Sequence, residues 1–278
     1  MCLTILCENF APMSAGIMGE HGFAALIESQ GQAILFDTGQ GLGILSNAKL
    51  LGKNLNAVDA VALSHGHSDH SGGLAGFILS HKARRVIAHP RVFDKKMVER
   101  RIGEKTIRLS IGLPASRKEL ERMGVAFDLA EKPLEIIPGV WFSGEIPAEN
   151  DFELPDPELR IETPEGLLVD PFHDDASLFI KTGKGLTIVS GCAHRGIINT
   201  IDYARKFMGD IPIFAVIGGF HLHSAGPERV SKTVEALKAL SPQIIAGGHC
   251  TGQDSASMLR EGLGRSFRFM SVGQRFEL

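Results

Sequence analysis

No long hydrophobic run occurs in the 278 residues. The most apolar stretch, Ile211 to Phe220, contains two glycines and is about half the roughly 20 residues a membrane-spanning helix needs. Cysteine is scarce. Cys2, Cys7, Cys192 and Cys250 form no CxxC pair and are too few for a disulfide framework in a chain of this length. There is one Trp and one Tyr, and neither sign of charge dominates: 29 Lys+Arg against 32 Asp+Glu leaves −3. Such a chain, without a basic strip interleaved with aromatics, has no electrostatic case for nucleic acid or an anionic membrane. The opening MCLTILCENF lacks the basic start, full apolar segment and small-residue cleavage site of a signal peptide. No repeat period or low-complexity segment is visible. These absences lead us to expect a cytoplasmic protein with a small-molecule partner, and at 44% hydrophobic it can bury a large core.

What is present in excess is histidine, with 11 residues, several of them grouped. The pattern around the groups is legible. Leu3 to Cys7, Gly22 to Glu28 and Gln32 to Phe36 read as strands, with a hairpin turn at Ser29-Gln30-Gly31. A helix is expected through Leu51, a strand over Ala57 to Leu63, a helix over Gly72 to Leu79 and a strand over Arg85 to Ala88. From Arg91 to about Ile161 the pattern weakens. Charged pieces at Phe93 to Arg101 and Ser116 to Met123 read as helical, and the stretch is expected to be an insertion or cap on a single domain spanning 1–278. Strands return at Gly166 to Val169, Ser177 to Lys181 and Leu186 to Ser190. The last hundred residues alternate: helix Ile197 to Met208, strand Ile211 to Ile217, helix Pro227 to Leu240, strand Gln243 to Ala246 and helix Asp254 to Leu263. Two closing strands are expected near Phe267 to Met270 and Val272 to Phe276. Clustered strands followed by βα alternation, in each half, predict an α/β sandwich of two sheets with helices outside.

The strongest chemical signal is Ser64-His65-Gly66-His67-Ser68-Asp69-His70-Ser71-Gly72-Gly73, directly after an apolar strand. His65 and His67 are two apart, so on extended backbone they point the same way and can share one metal ion. Asp69 and His70 fall where the chain turns into a helix, which aims them at a second position. Imidazole and carboxylate donors suit Zn²⁺ best, as one or two ions, with Mn²⁺ or Fe²⁺ also compatible.

This HxHxDH element resembles the metallo-β-lactamase superfamily, and Ile34-Leu35-Phe36-Asp37-Thr38-Gly39 resembles the family's LxDTG element. The resemblance implies an αββα four-layer sandwich with the metal site at one edge of the paired sheets, and a supporting role for Asp37 behind the ligands. It implies that His194, in Gly191-Cys192-Ala193-His194, and His249, in Gly247-Gly248-His249-Cys250-Thr251-Gly252, complete the ligands. The expected metal set is therefore His65, His67, Asp69, His70, His194 and His249. Most relatives carry Gly-Asp where this chain has Gly191-Cys192. Cys192 is expected at the metal edge without being the main ligand, because His194 two residues on would share its direction on extended backbone. His173 and the aspartates Asp174 and Asp175 lie near the place of a further family ligand. Glu20 and His21 are on a hairpin approach that in this fold faces the cleft, which implies substrate contact. His221, after Gly218-Gly219, is expected to serve as ligand, general acid or substrate contact, and Asp69 and His221 are the expected catalytic residues.

The fragments EHGF, SHGHSDHSGG, GCAHRGIINT, GGFHL and GHCTG together resemble one branch of the superfamily, named for a dihydropterin–ribofuranosylaminobenzene phosphate synthase and for metal-dependent hydrolases. The expected activity is hydrolysis of a small-molecule ester, lactone or phosphodiester by metal-bound hydroxide, available near neutral pH because zinc lowers the pKa of bound water to about 7. A pterin-type transferase and a non-catalytic metal-binding scaffold are the alternatives.

Overall fold

The computed structural model describes residues 1–14 and 16–278. The chain opens on three antiparallel strands, β1 (Cys2–Cys7), β2 (Ala24–Ser29) and β3 (Gln32–Phe36). The β2–β3 hairpin closes over Gln30 and Gly31, both at positive φ (49° and 83°), the two-residue turn whose twist matches that of the strands it joins. After helix α1 (Ile44–Leu50), the chain runs β4 (Ala60–Ala62), α2 (Ser68–Ser71), α3 (Leu74–Ser80) and β5 (Arg85–Ala88). There follow β6 (Lys96–Ile102), β7 (Lys105–Ser110), α4 (Arg117–Arg122), β8 (Ala126–Leu129), β9 (Leu134–Ile137), β10 (Val140–Phe142), β11 (Leu159–Thr163) and β12 (Gly166–Val169). The second half comprises β13 (Ser177–Thr182), β14 (Gly185–Ser190), α5 (Ile197–Met208), β15 (Ile213–Gly219), α6 (Pro227–Leu240), β16 (Ile244–Gly248), α7 (Gln253–Leu263), β17 (Phe267–Phe269) and β18 (Arg275–Glu277).

Two seven-stranded sheets, ordered β18-β1-β2-β3-β4-β5-β8 and β17-β16-β15-β14-β13-β10-β9, stack face to face. Between them lies one apolar layer that includes Ile5, Phe23, Phe36, Phe142, Leu178 and Ile217. The alternating residues of the same strands face outward: Leu35 packs with Ile44, Phe77 and Leu120 under α1, α3 and α4, and Ile188 packs with Ile201, Leu237 and Leu259 under α5, α6 and α7. The result is the expected αββα four-layer sandwich. Strands β3, β4, β5 and β8 are mutually parallel, as are β14 to β17, so each half contributes a row of strand carboxyl ends. Among the described residues no helix is long and apolar enough to cross a membrane.

The stretch 91–161 departs from the expected cap. Its β8 joins the first sheet, its β9 and β10 join the second, and Leu120 of α4 is part of the outer core. Only β6, β7 and β11 stand apart, and with β12, expected to rejoin the main fold, they form a third sheet ordered β12-β11-β6-β7. Phe93 to Arg101 forms no α-helix: Phe93 ends a 3-10 turn, Pro90–Phe93. From Lys96 it is strand, with Glu99 opposite Arg108 and 2.6 Å from its Nε. The charged residues that suggested a helix pair across strands instead. The two closing strands also part company: β17 runs parallel to β16, whereas β18, which begins only at Arg275, pairs antiparallel with β1 in the other sheet.

Candidate metal centre

The clustered histidines other than His21 follow the carboxyl ends of parallel strands, where ligand sites of open α/β sheets form. His65 and His67 follow β4, His194 follows β14, His221 follows β15, and His249 follows β16. The backbone is unusual there. Among the described residues, seven non-glycine positions have positive φ, and Asp37, Ala193, His221 and His249 are four of them. Conformations of this kind cost about 1–3 kcal/mol each and persist where the surroundings impose them.

The structure brings together all six residues expected to hold metal. One ring nitrogen from each of His65, His67 and His194 lies within 4.8 Å of the other two, and the Nε2 atoms of His65 and His194 are 3.2 Å apart. Beside them the Oδ2 of Asp69 is 3.2 Å from His249 Nε2 and 3.8 Å from His70 Nε2, and those two nitrogens are 3.1 Å apart. His21 Nε2 also stands 3.2 Å from Asp69 Oδ2, so His21 borders this second cluster from the rim. Cys192 lies between: its Sγ is 3.1 Å from His70 Nε2 and groups with His65 as well. The reason expected for its direction does not hold, because Ala193 at φ 55° breaks the extended backbone between Cys192 and His194. Both side chains nevertheless reach the cluster. The His65–His67–His194 group is complete without sulfur, so Cys192→Ser is expected to retain at least one metal ion per chain by elemental analysis. Loss of all metal would make the cysteine the principal ligand.

The surroundings prepare these nitrogens for a cation. Burial pushes the pKa of His65 and His194 well below the ordinary imidazole value and that of His67 down to about 3, which leaves them neutral, the ligand form. His67 Nε2 and His194 Nδ1 are buried with no hydrogen-bond partner. His70 differs: burial acts downward, but the Asp69 and Asp37 carboxylates outweigh it and raise its pKa to about 9. Asp37 Oδ2 is 2.7 Å from His70 Nδ1 and also accepts the Ser64 hydroxyl at 2.7 Å, and Ser64 Oγ is 2.9 Å from His65 Nδ1. One carboxylate thus turns the Nε2 edges of two imidazoles toward the cluster. Converging neutral nitrogens, unpaired buried ring atoms and an adjoining carboxylate fit a borderline divalent cation.

Several supports were not visible in the sequence. Asn9 Oδ1, 3.0 Å from His249 Nδ1, orients that ring across 240 positions. Asp174 Oδ2 accepts the Gly66 N–H, between His65 and His67, at 2.8 Å, and its Oδ1 accepts Lys96 Nζ. Asp174 therefore props the ligand loop and is absent from the groups of converging donors. Asp175 accepts the Arg195 N–H, and His173 turns to the surface, 2.6 Å from Glu145. Glu20 is the clearest correction. It does not face the cleft but is buried, accepting Cys7 Sγ, Leu42 N–H and Gly43 N–H, because the amides entering α1 need an acceptor.

A cavity of about 610 Å³ opens over the clusters, lined by His21, His67, Asp69, Cys192, His194, His221 and His249. The third sheet walls its other side with Val98, Arg100 and Leu159, joined by Ile111 directly after β7. His221 is buried in it, its ring 4.1 Å from that of His194 and its Nε2 3.6 Å from Asp156 Oδ2. Burial alone would lower the His221 pKa, but Asp156 and the Cys250 sulfur reverse this and push it up to about 9. Asp156 sits in Leu154-Pro155-Asp156-Pro157, which carries no periodic or motif signal.

A four-layer sandwich with clustered imidazoles and a carboxylate at its strand ends defines a protein of the metal-centre α/β class. The family model of the metallo-beta-lactamase superfamily matches residues 18–249, and the chain belongs to that superfamily. It is 35% identical over 280 residues (97% of this chain, 94% of the relative) to the 7,8-dihydropterin-6-methyl-4-(beta-D-ribofuranosyl)-aminobenzene-5'-phosphate synthase of Methanocaldococcus jannaschii. An uncharacterized protein of the same organism is 31% identical, covering 93% of this chain and 94% of that one. Among solved structures, Tm1679, titled a metal-dependent hydrolase of the beta-lactamase superfamily, superposes with a TM-score of 0.84 at 27% identity, covering 100% and 99% of the two chains.

Proposed function

We propose that this protein is a metal-dependent hydrolase of a small-molecule ester, lactone or phosphodiester, with zinc as the metal and Mn²⁺ or Fe²⁺ as chemically acceptable substitutes. The observation that carries this reading is one cavity of about 610 Å³ that holds two adjoining donor clusters and, beside them, a histidine kept protonated by an aspartate. His65, His67 and His194 would hold one ion, and Asp69, His70 and His249 a second. Such ions supply Lewis acidity, polarising a carbonyl or phosphoryl oxygen and lowering the pKa of water. The remaining work falls to the chain. Asp69 and His221 are the catalytic residues in this reading. Asp69 holds the His21 and His249 rings by its Oδ2, and His221 carries the proton for the leaving group. Asp156 faces His221 Nε2 at 3.6 Å, and neither ring nitrogen of His221 has a hydrogen-bond partner in the protein, so a ring proton is available to a substrate oxygen. The wall of Val98, Ile111 and Leu159 excludes water from one side, and His21 contacts substrate at the rim.

His221→Ala should keep its metal and lose turnover by roughly 10²–10⁴-fold, the usual worth of a positioned general acid. Metal loss in that variant would make His221 a ligand, and unchanged turnover would remove it from the chemistry. The reaction class is tested by assaying metal-loaded protein on an ester, lactone and phosphodiester panel in ¹⁸O-labelled water. Label in the product supports hydrolysis. A synthase reaction is the second reading, favoured by the name of the 35% identical relative. Unlabelled product that joins two substrates would establish it, and metal-loaded protein inert in both assays would leave a binding scaffold.

A further inference from the structure

We propose that Cys192 and Cys250 form a reversible oxidation site, a thiol pair that closes to a disulfide on the floor of the cavity. Neither sulfur is needed by the histidine and carboxylate clusters, yet both line that cavity. The pair comes from the ends of β14 and β16, with β15 between them, 58 positions apart in sequence. Gly219, at the end of β15, makes the approach possible. A Cβ there would lie 2.6 Å from Cys250 Sγ and 3.3 Å from Cys192 Cα, so any larger residue would wedge the two apart. Without it the two sulfurs and a His221 ring nitrogen stand within 4.8 Å of one another. Cys250 Sγ is held in place by two hydrogen bonds: it accepts the His221 backbone N–H at 3.3 Å and donates to the Cys192 carbonyl at 3.5 Å. Side-chain rotation has to bring the sulfurs to the roughly 2.05 Å of a disulfide.

The other two cysteines lack such a partner. Cys7 is occupied by Glu20 Oε1 at 3.1 Å, and Cys2 lies at the start of β1, where its sulfur is 3.9 Å from the Thr4 hydroxyl. The cavity admits an oxidant as small as hydrogen peroxide. The Cys250 sulfur attacks one peroxide oxygen, breaking the O–O bond and giving a sulfenic acid and water. The Cys192 sulfur then attacks the Cys250 sulfur, forms the S–S bond and expels the sulfenic oxygen as the second water. Two thiols are oxidised, one peroxide is reduced, and two waters leave. The new bond draws Cys192 Sγ from its place 3.1 Å from His70 Nε2, so oxidation also disturbs the edge of the metal cluster.

The test treats metal-loaded wild-type protein with hydrogen peroxide, then maps its peptides without reduction and titrates its thiols after denaturation. The expected result is a Cys192–Cys250 cross-linked peptide, a fall from four free thiols to two, and full recovery with dithiothreitol. Cys250→Ser should abolish the cross-link. Four surviving thiols, or over-oxidised Cys250 with no cross-linked peptide, would overturn the proposal. The effect on the metal, which rests on the proposed metal sites, is read separately: cross-linked protein should bind less metal than reduced protein, and equal content would overturn the role as a switch. Wild-type protein that binds no metal in either state, yet cross-links, would locate the failure in the metal reading alone.

Discussion

The His67→Ala protein is expected to lose most of its bound metal while keeping its fold. His67 Nε2 is buried and has no hydrogen-bond partner, and its ring packs at 4.6 Å from that of His65 and 4.8 Å from that of His194. Alanine removes one of three converging nitrogens and puts no donor in its place. Losing a mere outer partner of a ligand costs about 10–100-fold in metal affinity, so losing the ligand itself should exceed that. The fold should survive because His67 belongs to none of the three apolar clusters that join the layers. The loop also keeps its main prop, since the bond from Gly66 N–H to Asp174 does not involve the His67 side chain. Elemental analysis and circular dichroism on the same sample check both halves. Full metal occupancy in the variant would sink the ligand assignment.

Lys96→Met should destabilise the protein by about 3–5 kcal/mol, the usual penalty for stripping one partner from buried charges. Lys96 Nζ lies 2.7 Å from Asp170 Oδ2 and 2.8 Å from Asp174 Oδ1, and all three side chains are 1% exposed. Burial alone would depress the lysine pKa, but the two carboxylates raise it above its ordinary value. Methionine fills the space and leaves two buried carboxylates facing each other. Chemical denaturation measures the loss, and Asp170→Asn added to Lys96→Met should recover part of it by removing one uncompensated charge. A change under about 1 kcal/mol, the scale of an exposed ion pair, would show that the trio is not a unit. Because Asp174 also holds the Gly66 amide, the same variant should bind metal more weakly even when folded. The third sheet, through Lys96, thereby reaches the loop between His65 and His67.

How much of this was legible depended on how far each signal extended along the chain. The β2–β3 hairpin was readable because two residues, Gln30 and Gly31, set it locally. The HxHxDH cluster was readable because residues two to five apart on a strand end carry it. Four of the six metal candidates, His65, His67, Asp69 and His70, could be named from that one element, and His194 and His249 from the resemblance of the segments that carry them. Where charge pattern and period disagreed, the reading went wrong. Phe93 to Arg101 reads as a charged helix until strands β7 and β11 are placed beside its Lys96–Arg101 part, and Glu99 then meets Arg108 and Arg160.

By itself the amino-acid sequence determined the layered α/β architecture and the ligand types, because side-chain period and donor chemistry are properties of neighbouring residues. Only the tertiary structure decided which groups face one another across long separations. It turned Glu20 inward to the amides entering α1, set Asn9 behind His249, placed Asp156 against His221, and divided the stretch 91–161 among three sheets. These contacts are chosen by the closure of the two sheets over a shared core, so their partners lie far apart in the chain and leave no local pattern to read.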